Sequence, residues 1–236
     1  MEATEVRKLA ELEDTHWWYR ERRALLGRAL RRLEAAGHRP GWALDIGAAG
    51  GGNTRVLRSR GWRPVALEYT AEGAGVARER GLRVMRADAR CLPVGTRTLD
   101  LVLAFDILEH IEDDLAAAAE IHRVLRPGAA VLVAVPCDMR LWSAHDVAVG
   151  HVRRYTRRTL TGVFEKAGLV VDEIWSWNVL LRPAAAWRRR RSTGSDLDRV
   201  PSVVNLGLTA VITAERYLPV RSLPGVSLML RAHRPA

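Results

Sequence analysis

Hydrophobic positions along this chain switch repeatedly between two periods. From Glu5 to Ala35 apolar residues recur at helical spacing, which predicts a long helical region. Trp42 to Ile46 is a short, nearly continuous apolar run, read as a buried strand, and residues 53–60 return to the helical period. The alternation then continues. Strands are predicted over Pro64 to Glu68, Arg83 to Ala87, Leu99 to Ala104 and Ala129 to Val135, with helices over Glu72 to Arg80 and Leu115 to Leu125, the second ended by Pro127-Gly128. Such alternation implies a parallel sheet with helices on both faces, and ligands that bind at the carboxyl ends of the strands. Beyond Pro136 an irregular segment reaches Tyr155, followed by a helix over Thr159 to Ala167 and a strand over Leu169 to Trp177. A last strand, Val226 to Arg231, is expected to pair antiparallel with the one before it. Residues 179–224 carry Pro183, Pro201, Pro219 and Pro224 and an amphipathic helix around Val203 to Tyr217, which reads as an inserted cap.

Between the first strand and its helix lies Leu44-Asp45-Ile46-Gly47-Ala48-Ala49-Gly50-Gly51-Gly52. Residues with almost no side chain at a strand-to-helix crossover let backbone approach a ligand, and a helix N-terminus there presents free N–H groups. The spacing does not fit the G-x-G-x-x-G of dinucleotide sites. The next predicted strand ends in Glu68, about twenty residues on, where an acid can accept hydrogen bonds from both ribose hydroxyls of an adenosine.

The turn resembles the first motif of class I S-adenosylmethionine-dependent methyltransferases, D-x-G-x-G-x-G, with Asp45, Gly47 and Gly51 in place and Ala49 at the central glycine. The segments Phe105-Asp106-Ile107-Leu108-Glu109-His110-Ile111 and Glu120 to Gly128 also resemble that family, in the order it uses. The resemblance spans roughly residues 12 to 178 and implies a Rossmann-like, doubly wound, seven-stranded and mostly parallel sheet with its last strand antiparallel, an N-terminal helical lid and an inserted C-terminal cap. It implies S-adenosyl-L-methionine as cofactor and S-adenosyl-L-homocysteine as product. Asp88, beside Ala89, matches the acid that receives the adenine amino group, and Ala104 and Phe105 match the lining of the methionine part. In His16 to Arg23, a helix that packs three aromatics beside three arginines, Trp18, Tyr19 and Arg23 are candidates to enclose the cofactor and hold its carboxylate, with packing in the core as the alternative.

Acceptor chemistry is expected after the fifth strand, where Trp142, His145, Asp146, His151, Arg153, Arg154 and Tyr155 concentrate. Methyl transfer is an in-line displacement that needs water excluded, the nucleophile aligned and often its proton removed. His145, His151 or His110 could be that base, and His110 is equally a structural hydrogen-bonder. Arg153 and Arg154 bind an anionic acceptor or neutralise nearby acids. His145, Asp146 and His151 have ligand types that suit a divalent cation, but without a second carboxylate cluster no metal is expected. The function implied is methylation of a small molecule, most plausibly at oxygen, with carbon or nitrogen as alternatives. An RNA or protein methyltransferase and a non-catalytic S-adenosylmethionine-binding protein are the competing readings.

Composition changes this picture little. At 236 residues the chain suits one domain spanning residues 1–236. No apolar run reaches the roughly 18 residues of a membrane span, and the charged N-terminus lacks the apolar core of a secretory signal, so a cytoplasmic, biosynthetic enzyme is expected. Cys91 and Cys137 both sit in apolar contexts and predict buried thiols. A formal charge of +10 would suggest nucleic acid, yet only Lys8 and Lys166 are lysines, a skew that fits a GC-rich coding sequence, and no stacking motif accompanies it. The run Arg188 to Arg191, after Trp187, leaves peripheral membrane contact and a greasy acceptor as expectations.

Overall fold

A computed structural model describes residues 11–190 and 200–236. Seven strands make one sheet: β1 (Trp42–Ile46), β2 (Arg63–Glu68), β3 (Val84–Arg86), β4 (Leu99–Phe105), β5 (Leu125–Pro136), β6 (Val170–Trp177) and β7 (Ser227–His233). Their order is β3-β2-β1-β4-β5-β7-β6. The first five pair in parallel, and β7 enters between β5 and β6 antiparallel to both. This is the doubly wound, Rossmann-like sheet expected.

Strand side chains alternate between faces, so each central strand feeds two cores. Val102 and Ala104 of β4 join Val131 and Val133 of β5 beneath Ile121 of α4 (Asp114–Val124) and Phe164 of α6 (Arg157–Lys166), numbering helices from α1 (Trp17–Ala35), α2 (Gly52–Ser59) and α3 (Ala71–Glu79), with α5 spanning Ala144–Ala148. Leu101, Leu103 and Phe105 point the other way, against Leu26 and Leu30 of α1 and Leu57 of α2.

Three elements depart from their predicted form. The helix expected from Glu5 is broken in two: Glu11 and Leu12 are helical, the chain turns at Glu13 to Thr15, and the His16 imidazole caps the helix that starts at Trp17 by accepting from Trp18 N–H at 3.3 Å. Residues 5–10 of that prediction lie outside the described residues. Most of α1 is a core layer, with Leu25, Leu26, Ala29, Leu30 and Leu33 buried. Pro127-Gly128 does not separate α4 from β5. The strand starts at Leu125, and the two residues sit in a bulge between the pairs Leu99 with Leu125 and Leu101 with Ala130, where a missing donor is tolerated. Cys91 is exposed; Cys137 is buried, which pushes its thiol up.

The segment between β6 and β7 forms α7 (Arg182–Arg189) and α8 (Ser202–Glu215). It is docked by a buried acid: the Glu215 carboxylate accepts from the backbone N–H groups of Asn178, Val179 and Leu180 at 2.8, 2.7 and 2.8 Å. Arg216 pairs with Glu21 of α1, and Ile212 enters the α1 core. Within the arginine run, Arg189 turns inward to the Leu141 carbonyl at 3.1 Å, and Arg191 lies outside the described residues. Glu215→Ala strands three N–H groups and should cost about 3 kcal/mol of unfolding free energy. A melting temperature unchanged in the variant would contradict this account of the docking.

Candidate cofactor and acceptor site

The carboxyl ends of β1 to β5 form one rim, and the chain's polar clusters gather along it. At the end of β1, Gly47 and Gly51 take φ of 70° and 80°, and Ala49 follows them into the left-handed region at 47°. A Cβ on Gly51 would stand 2.1 Å from Leu82 Cδ1, and one on Gly47 3.0 Å from Ile107 Cδ1, so the turn is packed from behind by side chains that leave no room for larger residues. Gly51 then starts α2 without a side-chain cap. The Ala49 N–H donates to the Glu68 carboxylate, which fastens the turn to the end of β2. Burial raises the Glu68 pKa, against the pull of that hydrogen bond.

Asp45, the acid of the motif, is 1% exposed and accepts a hydrogen bond from the Thr54 hydroxyl at 2.6 Å. It therefore clasps β1 to α2 from beneath the turn. Burial lifts its pKa to about 7. Asp88 sits at the rim of β3 with both oxygens taken by Arg90, which lowers its pKa, and Ala89 beside it is buried. Phe105 is buried at the end of β4, with the Arg22 guanidinium 5.3 Å from its ring centre.

The α1 candidates separate. Trp18 packs on Trp177 with ring centres 4.3 Å apart and belongs to the α1 core. Tyr19 is half-buried, and burial pushes its hydroxyl to about 12. Arg23 reaches the glycine turn, its guanidinium 3.1 Å from where a Gly52 Cβ would stand. Two partners went unread in the sequence. Glu13, carried in by the turn before α1, meets the same place beside Arg80, and burial raises its pKa to about 7. Arg22 is buried and pairs with Asp106 just past β4. Its position was legible, because Trp18, Arg22, Leu25, Ala29 and Leu33 share the helical spacing of the buried stripe.

At the acceptor end the segment from Asp138 loops out and returns, so that Tyr155 N–H meets the Pro136 carbonyl at 2.9 Å and Val152 N–H the Glu109 carbonyl at 2.8 Å. Arg154, fully buried, forks onto Asp146 at 2.8 and 3.0 Å, and Arg153 pairs with Asp114 at 2.8 Å. Tyr155 is buried and donates to Asp114 at 2.7 Å. Among the expected acceptor ligands these three therefore act inside the fold, which follows from the acids that the returning loop passes. Trp142 and His145 are half-buried on that loop, with the His145 ring 6.1 Å from that of His151.

Asp146 also accepts from His151 Nδ1 at 2.8 Å, and the opposite nitrogen faces Glu109 Oε1 at 3.8 Å. His110 stacks edge-on against His151, ring centres 4.8 Å apart, and burial lowers its pKa to about 4. Glu109 is 0% exposed, and burial lifts its carboxyl to about 8. The sequence offers one signal for Glu109, an acid set in the apolar context Ile107-Leu108-Glu109-His110-Ile111.

Residues 18–174 match the family model described as a methyltransferase domain. The chain belongs to the methyltransferase domain family. A Mycolicibacterium smegmatis protein named as a probable S-adenosylmethionine-dependent methyltransferase is 28% identical over 177 residues, covering 72% of this chain and 66% of the relative. The chain thus spans just under two thirds of the length of that curated relative. Among solved structures, phosphoethanolamine N-methyltransferase 2 of Haemonchus contortus in complex with S-adenosyl-L-methionine aligns with a TM-score of 0.54 and 19% identity, over 84% of this methyltransferase-family chain and 49% of its own. The [4+2]-cyclase SpnF aligns with a TM-score of 0.55 and 20% identity, over 84% and 76%. At these identities the structural likenesses establish the fold. They also show that this fold carries more than one chemistry.

The buried acids of the rim give a pH dependence. For Asp45 the folded pKa of about 7 lies above the ordinary 3.8, so the folded state holds the proton more tightly. The stability this contributes is complete at low pH and is lost as pH rises between those two values. Asp45→Asn keeps an acceptor for Thr54 without the titration, so its stability relative to the parent chain should rise from pH 5 to pH 7.5 in chemical denaturation. A difference independent of pH would contradict the assignment.

Proposed function

We propose that this chain is an S-adenosylmethionine-dependent methyltransferase acting on an oxygen of a small-molecule acceptor, and that it releases S-adenosylhomocysteine. The observation that carries the reading is the joint of Glu68 to the glycine turn, on the rim where β1 and β4, neighbours in the sheet, lead off in opposite directions. The residues present fit the cofactor: the turn is stripped of side chains, and the start of α2 has no side-chain cap. Glu68, held by Ala49 through one oxygen, has a second with which to accept from ribose hydroxyls. Asp88, beside Arg90, would accept from the adenine amino group, and Arg23 with the first turn of α2 would hold the carboxylate. When bound, the cofactor supplies a methyl group on a positively charged sulfur, ready for displacement.

The choice of oxygen rests on the other end of the rim. A hydroxyl must lose its proton as it is methylated, and Glu109, His110 and His151 form a cluster able to promote that loss, with Asp146 orienting His151. The loop from Asp138 to Tyr155, tied back to Glu109 by the Val152 N–H, holds His151 beside His110 and Glu109. A second reading concerns the acceptor's surroundings: Val203, Leu206 and Tyr217 are 83%, 70% and 81% exposed on or just past α8, which favours an apolar acceptor met at an anionic membrane surface.

Transfer from methyl-labelled S-adenosylmethionine to a panel of phenols, sugars and hydroxy acids tests the reading, with amines as controls. Label should enter at least one hydroxylated acceptor, and Glu68→Ala should weaken cofactor affinity at least tenfold, about 1.4 kcal/mol, with the fold intact. Full cofactor affinity in that variant would show the ribose site misplaced, and exclusive labelling of amines would remove the oxygen assignment. Sedimentation with anionic vesicles at low salt should retain the protein; its absence from the pellet would remove the membrane reading.

A further inference from the structure

Glu109, His110 and His151 each bring one ligand atom to within 4.8 Å of the others. Two features set this cluster apart from an incidental meeting of polar side chains. Glu109 is 0% exposed, and among the described residues neither of its carboxylate oxygens has a hydrogen-bond partner. A carboxylate buried without donors is costly, and native structures rarely keep one unless something else satisfies it. The second feature is the state of the imidazoles. His110 Nδ1 lies 3.2 Å from the Gly150 carbonyl, and His151 Nδ1 lies 2.8 Å from Asp146 Oδ1. A carbonyl can only accept, and the Asp146 carboxylate is further engaged by Arg154 and by Ser143, so each ring places its proton on Nδ1 and keeps a lone pair on Nε2, which in His151 faces Glu109. Imidazole metal ligands are held in this way, by a carbonyl or carboxylate on the nitrogen away from the ion.

We propose that Glu109, His110 and His151 bind one divalent first-row transition cation. Two imidazoles and one carboxylate favour Mn²⁺, Fe²⁺, Co²⁺ or Zn²⁺ over the all-oxygen preferences of Ca²⁺ and Mg²⁺. Two ligand atoms bonded at about 2.0–2.2 Å lie at most about 4.2 Å apart, and about 3.4 Å apart at a tetrahedral angle, so the cluster needs to close by at least about half an ångström. His151 is already 3.8 Å from Glu109. Three protein ligands leave coordination positions open, as catalytic sites do and structural ones do not. The role of the cation rests on the proposed function: an acceptor hydroxyl at an open position would be acidified by the ion, its proton passing to solvent, so neither histidine need take it.

Titration of the full chain with Mn²⁺, followed by the electron paramagnetic resonance of the free ion, tests the site. Affinity for S-adenosylhomocysteine is measured on the same samples. One Mn²⁺ per chain is expected, with affinity at least tenfold weaker in Glu109→Gln and His151→Asn and cofactor-product affinity within twofold of the parent. Because Glu109 is buried, His110→Gln, at a half-buried position, provides a variant less prone to misfold and should show the same tenfold loss. Absence of saturable Mn²⁺ binding, or equal binding by the parent and all folded variants, overturns the site. Mn²⁺ binding that persists where S-adenosylhomocysteine fails to bind supports the site and overturns the proposed function instead.

Discussion

Parallel pairing of β1 between β2 and β4 is the constraint from which the rest follows. Asp45 of β1 lies in register with Ala66 on one side and Leu103 on the other, and both faces of this pairing are buried. A slip of one residue would exchange the two cores, since Leu101 and Leu103 serve one and Val102 and Ala104 the other. Register is therefore fixed by packing, and with it the height at which each strand leaves the sheet. The glycine turn, Glu68 and Asp106 meet on one rim because the strands that end there cannot slide.

The rim has a charge character unlike the chain as a whole. The net charge of +10 comes from arginine, yet Glu13, Asp45, Glu68 and Glu109 are buried or half-buried along this edge, and burial raises the pKa of all four. Arg22 pairs with Asp106 and Arg80 with Glu13 and Asp14, while among the described residues neither carboxylate oxygen of Glu109 has a hydrogen-bond partner. Such an edge holds protons above their ordinary pH range and gains from ligands that bring donors or positive charge. A sulfonium nucleoside, with its ribose hydroxyls, brings both.

Much of this was legible in the sequence. The period of each apolar run placed the strands of the parallel half to within a few residues, because strands buried on both faces have little freedom in composition. The glycine turn was legible for a steric reason: Gly51 has no space for a Cβ against Leu82. What sequence period does not carry is which polar groups meet. Arg153 and Arg154, read as ligands of an anionic acceptor or as neutralisers of nearby acids, pair with Asp114 and Asp146, and Tyr155 donates to Asp114, meetings set by how a loop returns to the end of β5. Glu13 and Glu215 gave no local signal either, since each acts on backbone or arginines far away in the chain. The break in the N-terminal helical region went unread because its apolar spacing runs on across the turn at Glu13 to Thr15.

The claim that the rim is a nucleoside-sulfonium site is tested most directly by calorimetric titration of the full chain with S-adenosylmethionine, S-adenosylhomocysteine and NAD. One site per chain with micromolar affinity for the first two, and no heat with NAD, is the predicted result. Failure to bind either adenosyl compound, or tighter binding of NAD, would contradict it.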